Sequence, residues 1–180
     1  DSGGPLVNER GEVVGVAAAV AWEVQGSGLF IDAAEVRAFA ELKPPDNPQA
    51  PPPAPSTGRD VYRDGVHALA LVRTEGDRRS SAWLFDRSRR LLLTTAEAVG
   101  KRETVDVIFP AFRDGRAVSE AAAYRDEARL LREKGLLTTG TVLATDARRN
   151  LALLEVGSVP ETAAEAKFAA EAPAPGDSLH

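Results

Sequence analysis

The chain has 180 residues and a net charge of −5 spread along its length, which argues against nucleic acid as its main partner. With 43% hydrophobic and 27% charged residues, it has the composition of one or two globular domains, and no apolar run approaches the ~18 residues of a membrane span. The sequence contains no methionine, so we expect it to be a piece of a longer protein or a processed product.

The first five residues, Asp-Ser-Gly-Gly-Pro, predict a tight turn that leads into a strand. The two glycines allow positive φ and let another chain approach closely. Such a turn presents the hydroxyl of Ser2 outward and leaves the neighbouring N–H groups free, as an activated serine and its oxyanion donors require. The alternative is an ordinary Ser-Gly-Gly turn before a hairpin, with no chemical role.

The next part of the chain carries the signals of a small β unit that closes with a helix. Two β-prone runs at residues 5–7 and 12–20 are separated by a polar turn that ends in glycine, which predicts a hairpin. A third strand is predicted at residues 28–31, and Asp32 is the expected N-cap of a helix over residues 33–42. A unit of this length is too short to bury a hydrophobic core alone.

Residues 44–58 are rich in proline and are predicted to link two domains. Proline fixes φ and lacks an N–H, so this stretch cannot hold a packed core. An extended spacer of this length spans roughly 45 Å at ~3.1 Å per residue. A ligand for an SH3-type domain is the alternative interpretation.

A second set of strand signals follows the linker. Strands are predicted at residues 66–72, 82–85, 91–95, 105–109, 141–145 and 151–156. Residues 117–134 are rich in Ala, Glu and Arg at helical spacing, which predicts a surface helix inserted between strands. The sequence therefore predicts a mostly β fold with a short closing helix and one inserted surface helix.

The run Asp-Ser-Gly-Gly-Pro-Leu-Val at the start of the chain resembles the nucleophile motif of trypsin-like (chymotrypsin-fold) serine peptidases. Because the chain has no cysteine, the resemblance points to the bacterial HtrA/Deg-like branch rather than to disulfide-bonded animal trypsins. Residues 26–31 resemble the glycine-x-glycine-aromatic strand of that branch, in which Gly28 would help to line the primary specificity pocket. A strand glycine at a bulge is the alternative for Gly28.

The second unit resembles the N-terminal barrel of the same family over residues 81–86, 92–99 and 142–154. Glu97 stands where the family has its base histidine, and Asn150 stands where it has the orienting aspartate. An ionised glutamate only accepts hydrogen bonds and is a poor base for a serine hydroxyl, and asparagine cannot stabilise an imidazolium. This unit is therefore expected to be a degenerate, non-catalytic copy.

Other roles are open to the titratable residues of the second unit. Glu97 could do different acid–base work or hold a metal with neighbouring acids, but no ligand spacing supports either role, so no metal site is predicted. The only histidines are His67, expected to be a packing residue within a strand, and His180, the last residue.

The resemblance implies pieces of an antiparallel trypsin-like double β-barrel. Residues 1–43 would be the C-terminal end of one peptidase domain, 44–58 the linker, and 59–180 the N-terminal barrel of a second, degenerate domain. The parent protein would be a serine endopeptidase without a cofactor, acting on polypeptides. Ser2 would be the nucleophile and its N–H part of the oxyanion hole, and the triad histidine and aspartate would lie upstream, so the fragment itself is expected to be inactive.

The resemblance also favours a periplasmic or otherwise exported location and leaves a homo-oligomer open. The first alternative to an enzyme is a peptide-binding or adaptor pseudoprotease. A surface or envelope scaffold with a proline-rich spacer is a second alternative.

Overall fold

The computed structural model describes residues 2–20, 28–40, 58–74, 78–124, 128–170, 172–174 and 179. The strands are β1 (Pro5–Val7), β2 (Val13–Val20), β3 (Gly28–Asp32), β4 (Leu69–Thr74), β5 (Arg78–Asp86), β6 (Leu91–Thr94), β7 (Thr104–Ile108), β8 (Phe112–Arg113), β9 (Arg116–Ala117), β10 (Leu137–Asp146) and β11 (Leu151–Val156). The helices are α1 (Ala33–Ala40), α2 (Gly58–Gly65), α3 (Ala96–Val99) and α4 (Ala128–Glu133), with 3₁₀ turns at Val66–Ala68 and Ala121–Tyr124.

Six strands form a closed barrel in the order β10, β11, β6, β5, β4 and β7, and each neighbouring pair is antiparallel. Side chains alternate along each strand, and those that point inward fill the barrel interior. On β7, Val105 and Val107 are buried in the barrel, whereas Thr104 and Asp106 face away from it. Phe109, directly after this strand, is also fully buried in the interior. The predicted mostly β, antiparallel fold is confirmed.

The outer face of the barrel is apolar where β5, β6 and β11 lie side by side. Residues 82–85 form a continuous buried run because both faces of β5 are covered: Ala82 and Leu84 face the interior, and Trp83 and Phe85 face outward. A second core cluster joins this outer face to the first part of the chain. Its buried members are Val13, Val16, Val36, Ala40, Trp83, Phe85, Leu91, Leu93 and Leu151. The short N-terminal unit thus buries its apolar side against the barrel.

That N-terminal unit is a three-stranded antiparallel sheet in the order β1, β2 and β3, followed by α1. The predicted hairpin turn is confirmed: Asn8 Oδ1 accepts hydrogen bonds from the N–H groups of Arg10 and Glu12 at 2.9 and 3.0 Å, and Gly11 has φ +72°. Asp32 is the N-cap of α1, since its Oδ1 accepts a hydrogen bond from the N–H of Ala34 at 2.7 Å.

Residues 163–169 run between the two parts of the structure. The N–H of Val13 donates to the carbonyl of Lys167 at 2.6 Å, and the N–H of Ala166 donates to the carbonyl of Leu84 at 2.9 Å. Phe168 packs edge-on against Trp83 with ring centroids 5.3 Å apart. This segment therefore seals the contact between the N-terminal sheet and the barrel.

Two segments differ from what their sequence predicts. Residues 66–68, predicted as the start of a strand, form a 3₁₀ turn after α2, a helix that no sequence pattern predicted. The continuous helix expected over 117–134 is wrong in extent. A β8–β9 hairpin with positive φ at Asp114 and Gly115 includes residue 117, and among the described residues of that range only those of α4 are α-helical. The hydroxyl of Tyr124 holds the connection by donating to the carbonyl of Val118 at 2.7 Å.

Asp1, His180 and the predicted linker up to residue 57 lie outside the described residues. Among the helices that the structure describes, none is long and apolar enough to cross a membrane.

Candidate functional site

The serine turn is held between the N-terminal sheet and the barrel. Ser2 is half-buried, and its carbonyl accepts a hydrogen bond from the N–H of Ser81 on β5 at 3.0 Å. The next residue, Gly3, donates its N–H to the carbonyl of Ala17 on β2 at 2.7 Å. One backbone hydrogen bond to β5 and one to β2 thus fix the orientation of the serine turn.

Gly3 must be glycine at this position. Its φ is +87°, and a Cβ atom on it would lie 2.2 Å from the carbonyl oxygen of Ser81 and 2.7 Å from Oγ1 of Thr94. Both obstacles are fixed, because the buried Thr94 hydroxyl itself donates to the Ser81 carbonyl at 2.7 Å. The turn therefore seats directly on the barrel wall, where the positive φ and close approach predicted from the sequence are both found.

Ser2 lines a small polar cavity of about 180 Å³ together with residues of the barrel. The barrel residues come from the end of β4, the start of β5, and α3 with the loop after it. They are Thr74, Arg78, Arg79, Ser80, Glu97, Ala98 and Arg102. Ser2 and Glu97, which the sequence assigns to different units, thus share one cavity.

Asn150 holds the other side of α3. It lies in the β10–β11 turn with φ +55°, its carbonyl accepts the N–H of Ala96 at 3.1 Å, and its Oδ1 accepts the N–H of Glu97 at 3.0 Å. These two bonds satisfy N–H donors at the start of α3. Thr95, the residue before the helix, does not cap them, and its buried hydroxyl has no hydrogen-bond partner among the described residues. Asn150 therefore acts as a cap contributed from a distant turn.

The β10–β11 turn is itself braced by charge. Asp146 accepts the N–H groups of Arg148 and Arg149 at 2.9 and 3.0 Å, and the Arg149 guanidinium at 2.7 Å. The backbone bond from Arg149 and then its side chain lower the pKa of Asp146. Arg149 also pairs with Glu35 of α1, so the turn that carries Asn150 is tied to the N-terminal unit.

No imidazole faces Ser2 among the described residues of this cavity. His67 lies elsewhere: its ring stacks on Phe112 with centroids 4.2 Å apart, and its Nδ1 is 2.7 Å from the carbonyl of Thr162. His67 thus has a packing role, as expected, although in a 3₁₀ turn rather than in a strand. The described lining residues carry hydroxyl, carboxylate and guanidinium groups, which can bind and orient a ligand.

Gly28 is the first residue of β3 and pairs with Val20. It is not among the described residues that line the Ser2 cavity, and its place in a specificity pocket stays a prediction. Within the described ranges, no group of three or more His, Cys, Asp or Glu residues is arranged to hold a metal ion.

The arginines of the cavity were not singled out by their sequence. Arg78 and Arg79 flank a predicted strand, and Arg102 follows α3, so each is an ordinary surface position in its own segment. Tertiary structure brings Arg102 to the same cavity as the neighbouring Arg78 and Arg79. The available signal was the Arg-Arg pair at the start of β5, which is too common to indicate a site by itself.

The chain matches no protein-family model, and no curated protein matches it. Among solved structures, the serine endoprotease from Yersinia pestis is similar to it with 17% sequence identity and a TM-score of 0.37. The similarity covers 60% of this chain and 33% of that protein, so the chain spans about a third of its length.

Proposed function

We propose that this chain is part of a serine endopeptidase that cleaves polypeptides through an acyl-enzyme on Ser2, and that residues 59–180 are a non-catalytic copy of a peptidase barrel. The observation that carries the proposal is the geometry of the serine turn. Gly3 at φ +87° presses against the barrel wall and leaves the half-buried Ser2 at the edge of a polar cavity. An accessible hydroxyl on a rigid turn is what nucleophilic catalysis requires.

The reaction assigns defined roles to Ser2 and to groups outside this chain. The Ser2 hydroxyl adds to the substrate carbonyl as a histidine takes its proton, and the same histidine returns that proton to the departing amine. The N–H of Ser2 stabilises the oxyanion, and water then hydrolyses the acyl-enzyme. The histidine and its aspartate would be supplied by the parent protein, since Glu97 and Asn150 cannot perform those steps.

Labelling with a fluorophosphonate probe tests this proposal. The full-length parent should be modified at Ser2, and the label should be lost in Ser2→Ala but kept in Ser80→Ala, which changes another serine of the same cavity. The 180-residue chain alone should not react. A folded parent that takes no label at Ser2 contradicts the endopeptidase assignment.

A peptide-binding pseudoprotease is the second candidate. The observation that favours it is the Ser2 cavity itself, in which Glu97 lies beside the serine turn and Asn150 serves as a helix cap. This candidate requires that the folded parent bind polypeptides while Ser2 stays unlabelled. Turnover of a peptide by the parent, abolished in Ser2→Ala, would exclude it.

A further inference from the structure

The described residues that line the Ser2 cavity include more cations than acids, in a chain whose net charge is negative. Among the described residues that line it, Arg78 and Arg102 are exposed cations and Glu97 is the acid. Among the described residues, no ion pair joins Glu97 to Arg78 or Arg102, so the glutamate does not neutralise these two guanidinium groups. A cluster of guanidinium groups with few acids beside it favours an anionic ligand.

Arg78 and Arg102 are well placed to donate. Arg78 begins β5 and is exposed. Arg102 is exposed in the loop after α3, where its Nη1 makes a long hydrogen bond of 3.4 Å to the carbonyl of Val99. A guanidinium has five N–H donors in a planar fork, so Arg102 keeps donors for a bidentate pair with a carboxylate. The hydroxyls of Ser2 and Ser80 add neutral donors to the same wall.

The size of the cavity indicates what can enter. A volume of about 180 Å³ holds one anionic group and is smaller than the ~300–1,000 Å³ of pockets that enclose whole small-molecule ligands. A larger cavity of about 800 Å³ shares Thr74 and Arg102 with it and continues along β4 and β7. In that cavity, Asp106 is paired with Arg73 at 3.0 Å and with Arg132 at 3.3 Å. The two cavities are therefore adjacent and share the wall formed by Thr74 and Arg102.

We propose that these two adjacent cavities bind a polypeptide and that the Ser2 cavity receives a carboxylate of that polypeptide on Arg78 and Arg102. The inference rests on the proposed function for the class of ligand and adds the chemistry that selects it. The carboxylate is an acidic side chain or a free C-terminus, because both present the same two oxygens to a guanidinium.

Fluorescence anisotropy with the 180-residue chain tests the proposal and separates the two sources. One pair of labelled peptides differs only in Asp against Asn, and a second pair differs only in a free C-terminal acid against an amide. The member of a pair that carries the recognised carboxylate should bind about tenfold more tightly, which is the order expected for a charge-assisted hydrogen bond. Its affinity should also fall with added salt.

Single variants locate the binding. Arg78→Gln and Arg102→Gln should each weaken the preferred peptide by about tenfold. Glu97→Gln should tighten it, because this change removes the like charge from the cavity. Arg116→Gln, an exposed arginine on β9, is the matched control and should leave affinity unchanged. Since these arginines are exposed, the variants should keep the circular dichroism spectrum of the wild type.

Equal binding of the acidic and neutral members of both pairs would overturn the proposal, as would affinities that do not change in Arg78→Gln and Arg102→Gln. Inorganic phosphate that binds as tightly as the best peptide would also overturn it, because the site would then select a free anion. Fluorophosphonate labelling of the parent reports on Ser2 independently of this binding. An unlabelled parent whose peptide binding still depends on Arg78 contradicts only the endopeptidase function.

Discussion

The backbone N–H of Glu97 donates a hydrogen bond to the side-chain oxygen of Asn150 at 3.0 Å. This bond joins the start of α3 to the β10–β11 turn, 53 residues away in the chain. On its other side, Glu97 shares a cavity with Ser2. Ser2, Glu97 and Asn150 are thereby connected through one short helix.

Replacing Glu97 and Asn150 tests whether this connection has the geometry of a catalytic triad. The double variant Glu97→His, Asn150→Asp should make Ser2 of the 180-residue chain react with a fluorophosphonate, since an imidazole can take the hydroxyl proton and a carboxylate can orient it. The capping bond should survive, because an aspartate oxygen also accepts the N–H of residue 97. Mass spectrometry should locate the label at Ser2.

The triple variant that also carries Ser2→Ala is the control and should stay unlabelled. A folded double variant that takes no label would show that residue 97 does not reach the Ser2 hydroxyl.

Gly3→Ala should detach the serine turn from the barrel. The new Cβ would lie 2.2 Å from a backbone oxygen, so left-handed strain of ~1–2 kcal/mol combines with an overpacking cost of ~1–3 kcal/mol. Urea denaturation should give a loss of roughly 3.5 kcal/mol, the middle of that combined range, and amide exchange of β1 should accelerate. Gly11→Ala has φ +72° but open space around its Cβ, so it should lose only the strain. Equal losses of unfolding free energy in the two variants would contradict the close contact of Gly3 with the barrel wall.

Phe168→Ala should loosen the seal over Trp83. The ring of Phe168 lies edge-on to Trp83 at 5.3 Å and also carries the Arg37 guanidinium 5.1 Å above it. Because Phe168 is only partly buried, we expect a loss of about 2–3 kcal/mol, below the ~3–5 kcal/mol of a full core deletion.

The measurement is tryptophan emission in a Trp22→Phe background, which leaves Trp83 as the only tryptophan. Emission should shift to the red as water reaches Trp83. An unchanged emission spectrum would show that Phe168 does not keep water away from Trp83.

Asp146→Asn should remove a pH-dependent part of the stability. The pKa of Asp146 is lowered from its ordinary value of 3.8, first by the N–H of Arg149 and then by its guanidinium. A carboxyl with a lowered folded pKa stabilises the fold above its unfolded pKa and loses that contribution as the pH falls through the folded value. The wild type should therefore be more stable than the variant near neutral pH, and the difference should shrink below about pH 4.

Urea denaturation at a series of pH values checks this. The amide side chain of the variant keeps an acceptor oxygen for the backbone N–H groups of the turn, so the shape of the turn should persist. A difference in stability that stays constant from neutral to acid pH would show that the charge of Asp146 does not contribute.

Most of the strands were predictable because each depends on a short local pattern. The alternation around Val105 and Val107 and the glycine-ended turn at Gly11 are visible within a few residues, and both appear in the structure. The long helix expected over residues 117–134 was wrong in extent because helix propensity there is overridden by the β8–β9 hairpin and by the contacts of Tyr124. Propensity is worth a few tenths of a kcal/mol per residue, less than a buried side chain contributes.

Some residues of the candidate site were predictable from local motifs, and others were not. By itself, the sequence singled out Ser2, Glu97 and Asn150, because each stands in a short motif, and it assigned them to separate units. Tertiary structure decided that Ser2 and Glu97 line one cavity and that Arg78 and Arg102 surround it. The physical reason is that the N-terminal sheet and the barrel are held together by apolar burial between residues far apart in the chain, such as Val16 and Trp83, and no local pattern encodes which two surfaces meet.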